Sequence, residues 1–197
     1  RCNLRCTHCY QEGGPGEELP FRDLLRILAQ FKELVGWLGE EAEPFPVKGQ
    51  INVSGGEPFL RNDFFDLLST FHAERDWLSF AILTNGTYID DAIARCLRGL
   101  DAVFVQVSME GGKETNDAIR GSGSYERTVE ALRCLIRERV PSSSTITAHR
   151  DNFREFPRVV QLGCELGVNK VWADRLIPCG SGSSLGDKTL TPEETRE

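Results

Sequence analysis

Short β-type runs alternate with amphipathic helical stretches along nearly the whole chain, a pattern that few folds accept. The runs are residues 50–54, 80–84, 102–107, 144–147 and 170–177. Between them apolar residues recur at three- and four-residue steps, the signature of a helix with one buried face. From Pro20 the stripe is Leu24, Leu25, Leu28, Phe31, Leu34 and Val35, and Asp63 is expected to cap a second helix running to about Glu74. Further stripes are Ile89, Ala92, Ile93, Cys96, Leu97 and Leu100, then Val129, Leu132, Leu135 and Ile136. A last helix over 153–166 stops at Gly167, a residue type that tolerates the left-handed cap. Gly13-Gly14-Pro15-Gly16, the stretch 40–49 with Pro44 and Pro46, and a long segment containing residues 120–124 are expected to be loops.

Strands separated by helices in this way build βαβ units and a parallel sheet, so the fold class is α/β. At 197 residues the chain is short for a complete eight-fold barrel. Five strands are expected, with a sixth before Cys2, making a partial (β/α)6 barrel; an open doubly wound sheet is the alternative. Residues 1–180 form the expected core domain. The stretch 181–197 reads as a linker and first helical turn leading to a C-terminal extension, and the start at Arg1 suggests a piece of a longer protein. Either architecture gathers its chemistry at the C-terminal ends of the strands. Those ends carry Gly55-Gly56-Glu57, Thr84-Asn85-Gly86, Ser108, His149-Arg150 and Pro178-Cys179-Gly180.

Cys2, Cys6 and Cys9 supply three thiolates from one short loop in C-x3-C-x2-C spacing. A structural zinc ion takes four protein ligands, as does a self-contained ferredoxin cluster. Three cysteines leave one position open for a ligand that is not protein. Seven cysteines with three clustered suit metal binding in a reducing compartment better than a disulfide framework, so a cytoplasmic address is expected. Cys96, Cys134 and Cys164 fall on apolar helix faces and are expected in the core, Cys179 is expected to be structural, and His8 is expected to pack beside the three thiols. A net charge of −7 without a basic run argues against a nucleic-acid partner, and no apolar run is long enough for a membrane helix.

The run Cys2-Asn3-Leu4-Arg5-Cys6-Thr7-His8-Cys9-Tyr10, followed by GGEP at 55–58, T-N-G-T at 84–87, V-S-M-E-G at 107–111 and I-R-G at 119–121, resembles the radical S-adenosylmethionine (SAM) superfamily. The resemblance implies that Cys2, Cys6 and Cys9 bind a [4Fe-4S] cluster whose fourth iron is chelated by SAM. It implies that Gly55, Gly56 and Glu57 meet the methionine amino group and that Ser108 bonds the carboxylate or ribose. Arg120 would pair with the carboxylate and Asn85 would meet the ribose or methionine end. Tyr10 and the segment around Ile177 would border the adenine. One-electron reduction would then cleave SAM to a 5′-deoxyadenosyl radical that takes hydrogen from the substrate, with a ferredoxin or flavodoxin as electron donor. Where many such sequences carry S-L-D-G, this chain has Ser108-Met109-Glu110-Gly111, and Glu110 is left outside the expected site.

The form of the cysteine run and the P-x-G-S-G at 178–182 are most similar to the branch with SPASM or twitch extensions. That likeness implies a peptide or protein substrate and a maturase-type modification. A small-molecule or tetrapyrrole cofactor substrate is the alternative within the family, and a zinc or electron-transfer module is the alternative outside it. An RNA substrate is disfavoured by the acidic balance.

Overall fold

The computed structural model describes residues 1–11 and 18–196; the loop expected at 13–16 lies outside the described residues. Five strands pair in parallel: β1 (Gly49–Val53), β2 (Leu78–Thr84), β3 (Val105–Ser108), β4 (Ser142–Ala148) and β5 (Lys170–Arg175). Their spatial order follows their sequence order, with each strand beside its predecessor. A doubly wound sheet needs a point where that order reverses, so the open-sheet alternative is set aside. The result is a curled half-barrel, the partial (β/α) barrel anticipated above.

Helices fill the connections: α1 (Phe21–Glu41) precedes β1, α2 (Phe64–Ala73) joins β1 to β2, and α3 (Asp91–Gly99) joins β2 to β3. Two helices, α4 (Lys113–Arg120) and α5 (Ser124–Arg137), join β3 to β4, and α6 (Phe156–Leu166) joins β4 to β5. The core lies between the sheet and these helices. Phe80, Ile82, Val105, Val107 and Ile146 point outward from the strands and meet Leu68, Leu97, Leu132, Leu135 and Val159.

Several expectations are corrected. Helix α4 occupies part of what was expected to be a long loop. Its KETNDAIR sequence carries one strongly apolar residue, Ile119, so no stripe announces it. Asp63 stands at the start of α2 but makes no capping hydrogen bond, because its carboxylate pairs with Arg61. Cys134 is buried as expected, whereas Cys96 and Cys164 are exposed. In α3 the inward face is taken by Ala94 and Leu97, with Ala92 on the outside, and in α1 Leu25 and Leu34 are likewise exposed. Strand β4 is longer than its serine-rich sequence suggests, and β3 begins at Val105 rather than Ala102. The expected stop at Gly167 holds: it adopts φ 83° and its N–H bonds back to Cys164.

Candidate functional site

The cysteine loop lies across the C-terminal ends of the strands, held there largely by backbone. The Arg1 carbonyl accepts from Glu57 N–H at 2.8 Å, and Thr7 N–H donates to the Ile119 carbonyl at 3.0 Å. On the far side, Gly182 N–H donates to the Cys9 carbonyl at 2.9 Å, and the Cys179 thiol donates to the Tyr10 carbonyl at 3.5 Å. A Cβ at Gly56 would stand 1.9 Å from the Arg1 carbonyl oxygen, and one at Gly180 would stand 2.3 Å from that of Tyr10. These two glycines therefore let the loop seat, from opposite sides. Gly55 differs: its φ is 148° and a Cβ there would meet nothing, so its backbone borders open space.

Glu57 is buried, and its carboxylate is satisfied by its own chain. One oxygen accepts from the Thr84 hydroxyl at 2.7 Å and the other from Asn85 N–H at 2.9 Å. Burial pushes its carboxyl pKa up, against those hydrogen bonds. The side chain thus ties the end of β1 to the end of β2, which leaves the Gly55 backbone as the part of this turn that borders open space. Asn85 is also engaged internally: its amide donates to Asn3 Oδ1 at 2.9 Å and its oxygen accepts from Thr87 N–H at 2.9 Å. Ser108 ends β3, half-buried.

Arg120 is buried, and its guanidinium bonds Glu110, whose carboxylate is completely enclosed. The same Glu110 oxygen meets His8 Nε2 at 3.0 Å, and its other oxygen accepts from Thr147 N–H at 2.8 Å. Burial alone would raise the Glu110 pKa, but Arg120 and His8 outweigh it and hold the carboxyl at about 2. Glu110 therefore joins the cysteine loop, β3, α4 and β4 in one network, in contrast to the expectation that it lies outside the site. The available signal was an acidic residue just past a strand end with Arg120 ten positions on, at the end of the next helix.

The three thiols are free and half-buried, and two are reached by N–H donors suited to thiolates. Leu4 N–H lies 3.5 Å and Asn85 Nδ2 3.9 Å from Cys2 Sγ, while Arg120 Nη1 lies 3.9 Å from Cys6 Sγ. Burial pushes the metal-free Cys6 thiol up, and the neighbouring Arg120 opposes it. Among the described residues, no three Cys, His, Asp or Glu side chains converge on a single-ion site, which is the geometry that a mononuclear zinc ion requires. A cluster distributes its cysteines over several irons, and three free cysteines from one loop supply donors of that type.

Tyr10 and Ile177 are both exposed, and Ile177 lines a groove of about 350 Å³ with Leu176 and Leu190 past the end of β5. Arg150 turns to Glu194 and the Asp187 carbonyl, while His149 is buried with its Nε2 unpartnered among the described residues. Cys179 serves the clamp on the cysteine loop described above.

A partial α/β barrel with a three-thiol loop at the mouth of its strands defines the class of protein. The Radical SAM superfamily model matches residues 1–163, and the chain belongs to that superfamily, whose members use a [4Fe-4S] cluster and SAM. It is 30% identical over 198 residues to Fe-coproporphyrin III synthase of Methanosarcina barkeri, covering all of this chain and 47% of that protein. It is 31% identical over 199 residues to mycofactocin maturase MftC of Mycolicibacterium smegmatis, again covering all of this chain and 47% of the relative. The fold is that of Streptococcus suis SuiB, solved with its precursor peptide SuiA. The TM-score is 0.73 at 16% identity, covering 89% of this chain and 37% of SuiB. The chain thus spans about half the length of the curated relatives it matches. No helix among the described residues is long and apolar enough to cross a membrane.

Proposed function

We propose that this chain is the core of a radical SAM enzyme that modifies a peptide or protein. Cys2, Cys6 and Cys9 hold the [4Fe-4S] cluster, and SAM completes the coordination left open by a three-cysteine set. When bound, the two cofactors supply a carbon-centred radical able to take hydrogen from an unactivated C–H bond. The protein's task is to hold, orient and shield. The backbone of Gly55–Gly56 receives the methionine end, with Asn85 and Ser108 on the neighbouring strand ends. The Glu57 carboxylate fixes that turn against β2. Arg120, held by Glu110, presents its remaining edge to Cys6 and the carboxylate side of SAM. Tyr10 and Ile177 flank the adenine. Electrons come from a small donor of the ferredoxin or flavodoxin type, and the enzyme works in the cytoplasm.

The observation that carries the cofactor assignment is the seating of three free thiols, two of them met by N–H donors, at the mouth of the strands. Similarity to a mycofactocin maturase supports the peptide substrate. A tetrapyrrole substrate is the second reading, on the similarity to Fe-coproporphyrin III synthase. Anaerobic reconstitution of the full-length protein is expected to give ~4 irons per chain for the core cluster, beyond any auxiliary cluster, and cluster absorbance in the visible. Zinc at about one per chain with no iron would overturn the assignment.

A further inference from the structure

One buried ion pair stands directly behind the cysteine loop. Glu110, just past the end of β3, is fully enclosed, and Arg120, the last residue of α4, is more than nine-tenths buried. The guanidinium gives two of its nitrogens, Nε and Nη2, to Glu110 Oε1. Its third, Nη1, lies 3.9 Å from Cys6 Sγ. The carboxylate is fixed in turn by His8 Nε2 at 3.0 Å and Thr147 N–H at 2.8 Å. The cation therefore meets a cysteine of the loop with one edge and its counter-charge with the other.

Charge acts strongly at this place. Both side chains are out of water, so solvent and salt screen them little. The Cys6 sulfur feels the two with opposite signs: Arg120 favours its thiolate and Glu110 opposes it. Net charge and hydrogen bonds to the sulfurs are what set the potential of an iron–sulfur cluster. A lone guanidinium beside a thiolate ligand would make the cluster easier to reduce. The carboxylate cancels most of that charge and leaves the N–H in place. A side-chain amide can also accept from Arg120, so what the carboxylate adds is its charge.

We infer that Glu110 is a positioning residue that keeps the reduction potential of the core cluster low, by fixing Arg120 beside Cys6 while cancelling its charge. The inference rests on the radical SAM reading above and deepens it. A cluster that is harder to reduce is a stronger one-electron reductant once reduced, which suits cleavage of SAM.

The test reads the midpoint potential of the core cluster in the full-length protein, reconstituted anaerobically and kept free of SAM. Dithionite supplies the one electron that each cluster takes up, and electron paramagnetic resonance follows the reduced form. The core signal is the one that Cys6→Ala lacks. Glu110→Gln should favour reduction about tenfold, a rise of about 59 mV for a one-electron couple. Glu110→Asp keeps the charge and should lie nearer the wild type than Glu110→Gln does. The double variant Glu110→Gln/Arg120→Gln removes both charges and should return toward the wild-type value, a reversal that loosening of the fold does not produce. If Glu110→Gln takes up no iron, the same charge is read by comparing Arg120→Gln with the double variant, which should lie higher. An unmoved or lower potential in Glu110→Gln, an Asp variant shifted as far, a double variant shifted further, equal potentials in the last comparison, or loss of the cluster from every variant would each overturn the inference. A wild type that assembles no cluster would instead overturn the radical SAM reading.

Discussion

Glu110 carries a large electrostatic stake. Its enclosed carboxylate is met by Arg120, His8 and the backbone of Thr147. Removing one partner of a buried ion pair strands the other, at about 3–5 kcal/mol. Glu110→Ala should therefore lower the melting temperature by roughly 10 °C. Glu110→Asp, one methylene shorter, should fall between, and a calorimetric scan of the three proteins checks the order. The pH dependence follows from the same contacts. The folded-state pKa is depressed to about 2 from an ordinary 4.5, so this contribution is fully present above about 4.5 and is lost as pH falls toward 2. Urea unfolding at pH 6 and pH 3 should show a smaller loss in Glu110→Gln than in the wild type, because the amide cannot titrate.

At the scale of elements, two glycines make contrasting predictions. Gly56→Ala would drive a methyl into the Arg1 carbonyl and displace the cysteine loop from the end of β1. Iron bound per chain after reconstitution should fall well below the wild-type value while the helical circular dichroism stays. Gly36 lies inside α1 with nothing near its Cβ position, so Gly36→Ala should stabilise by about 0.5–1 kcal/mol, read as a higher melting temperature. The elements themselves were unequally legible in the sequence. Strands followed by striped helices were plain because apolar periodicity reports directly on burial. Helix α4 was hidden because a short polar helix anchored through Asn116, Ile119 and Arg120 has no stripe. The exposed Cys96 shows the other limit: periodicity finds a helix but can misplace its inward face by one position.

Across the whole molecule, the sheet separates structure from chemistry. Its convex side packs Ile82, Val105, Val107 and Ile146 against the helices and holds the fold, and its C-terminal rim carries the cysteine loop. The residues of the rim were visible in the sequence because turns at strand ends need Gly, Asn and Ser at fixed places. Their partners were not, since neither Glu110 meeting His8 across 102 positions nor Glu57 closing on Asn85 leaves a local trace. The central claim is that the three thiols of this rim hold the cluster at which SAM is cleaved. It is tested most directly by measuring 5′-deoxyadenosine after reconstitution and reduction of the full-length wild type and its Cys6→Ala variant. Product is expected from the wild type and none above background from Cys6→Ala; equal product from both would contradict the assignment of these cysteines to the cluster.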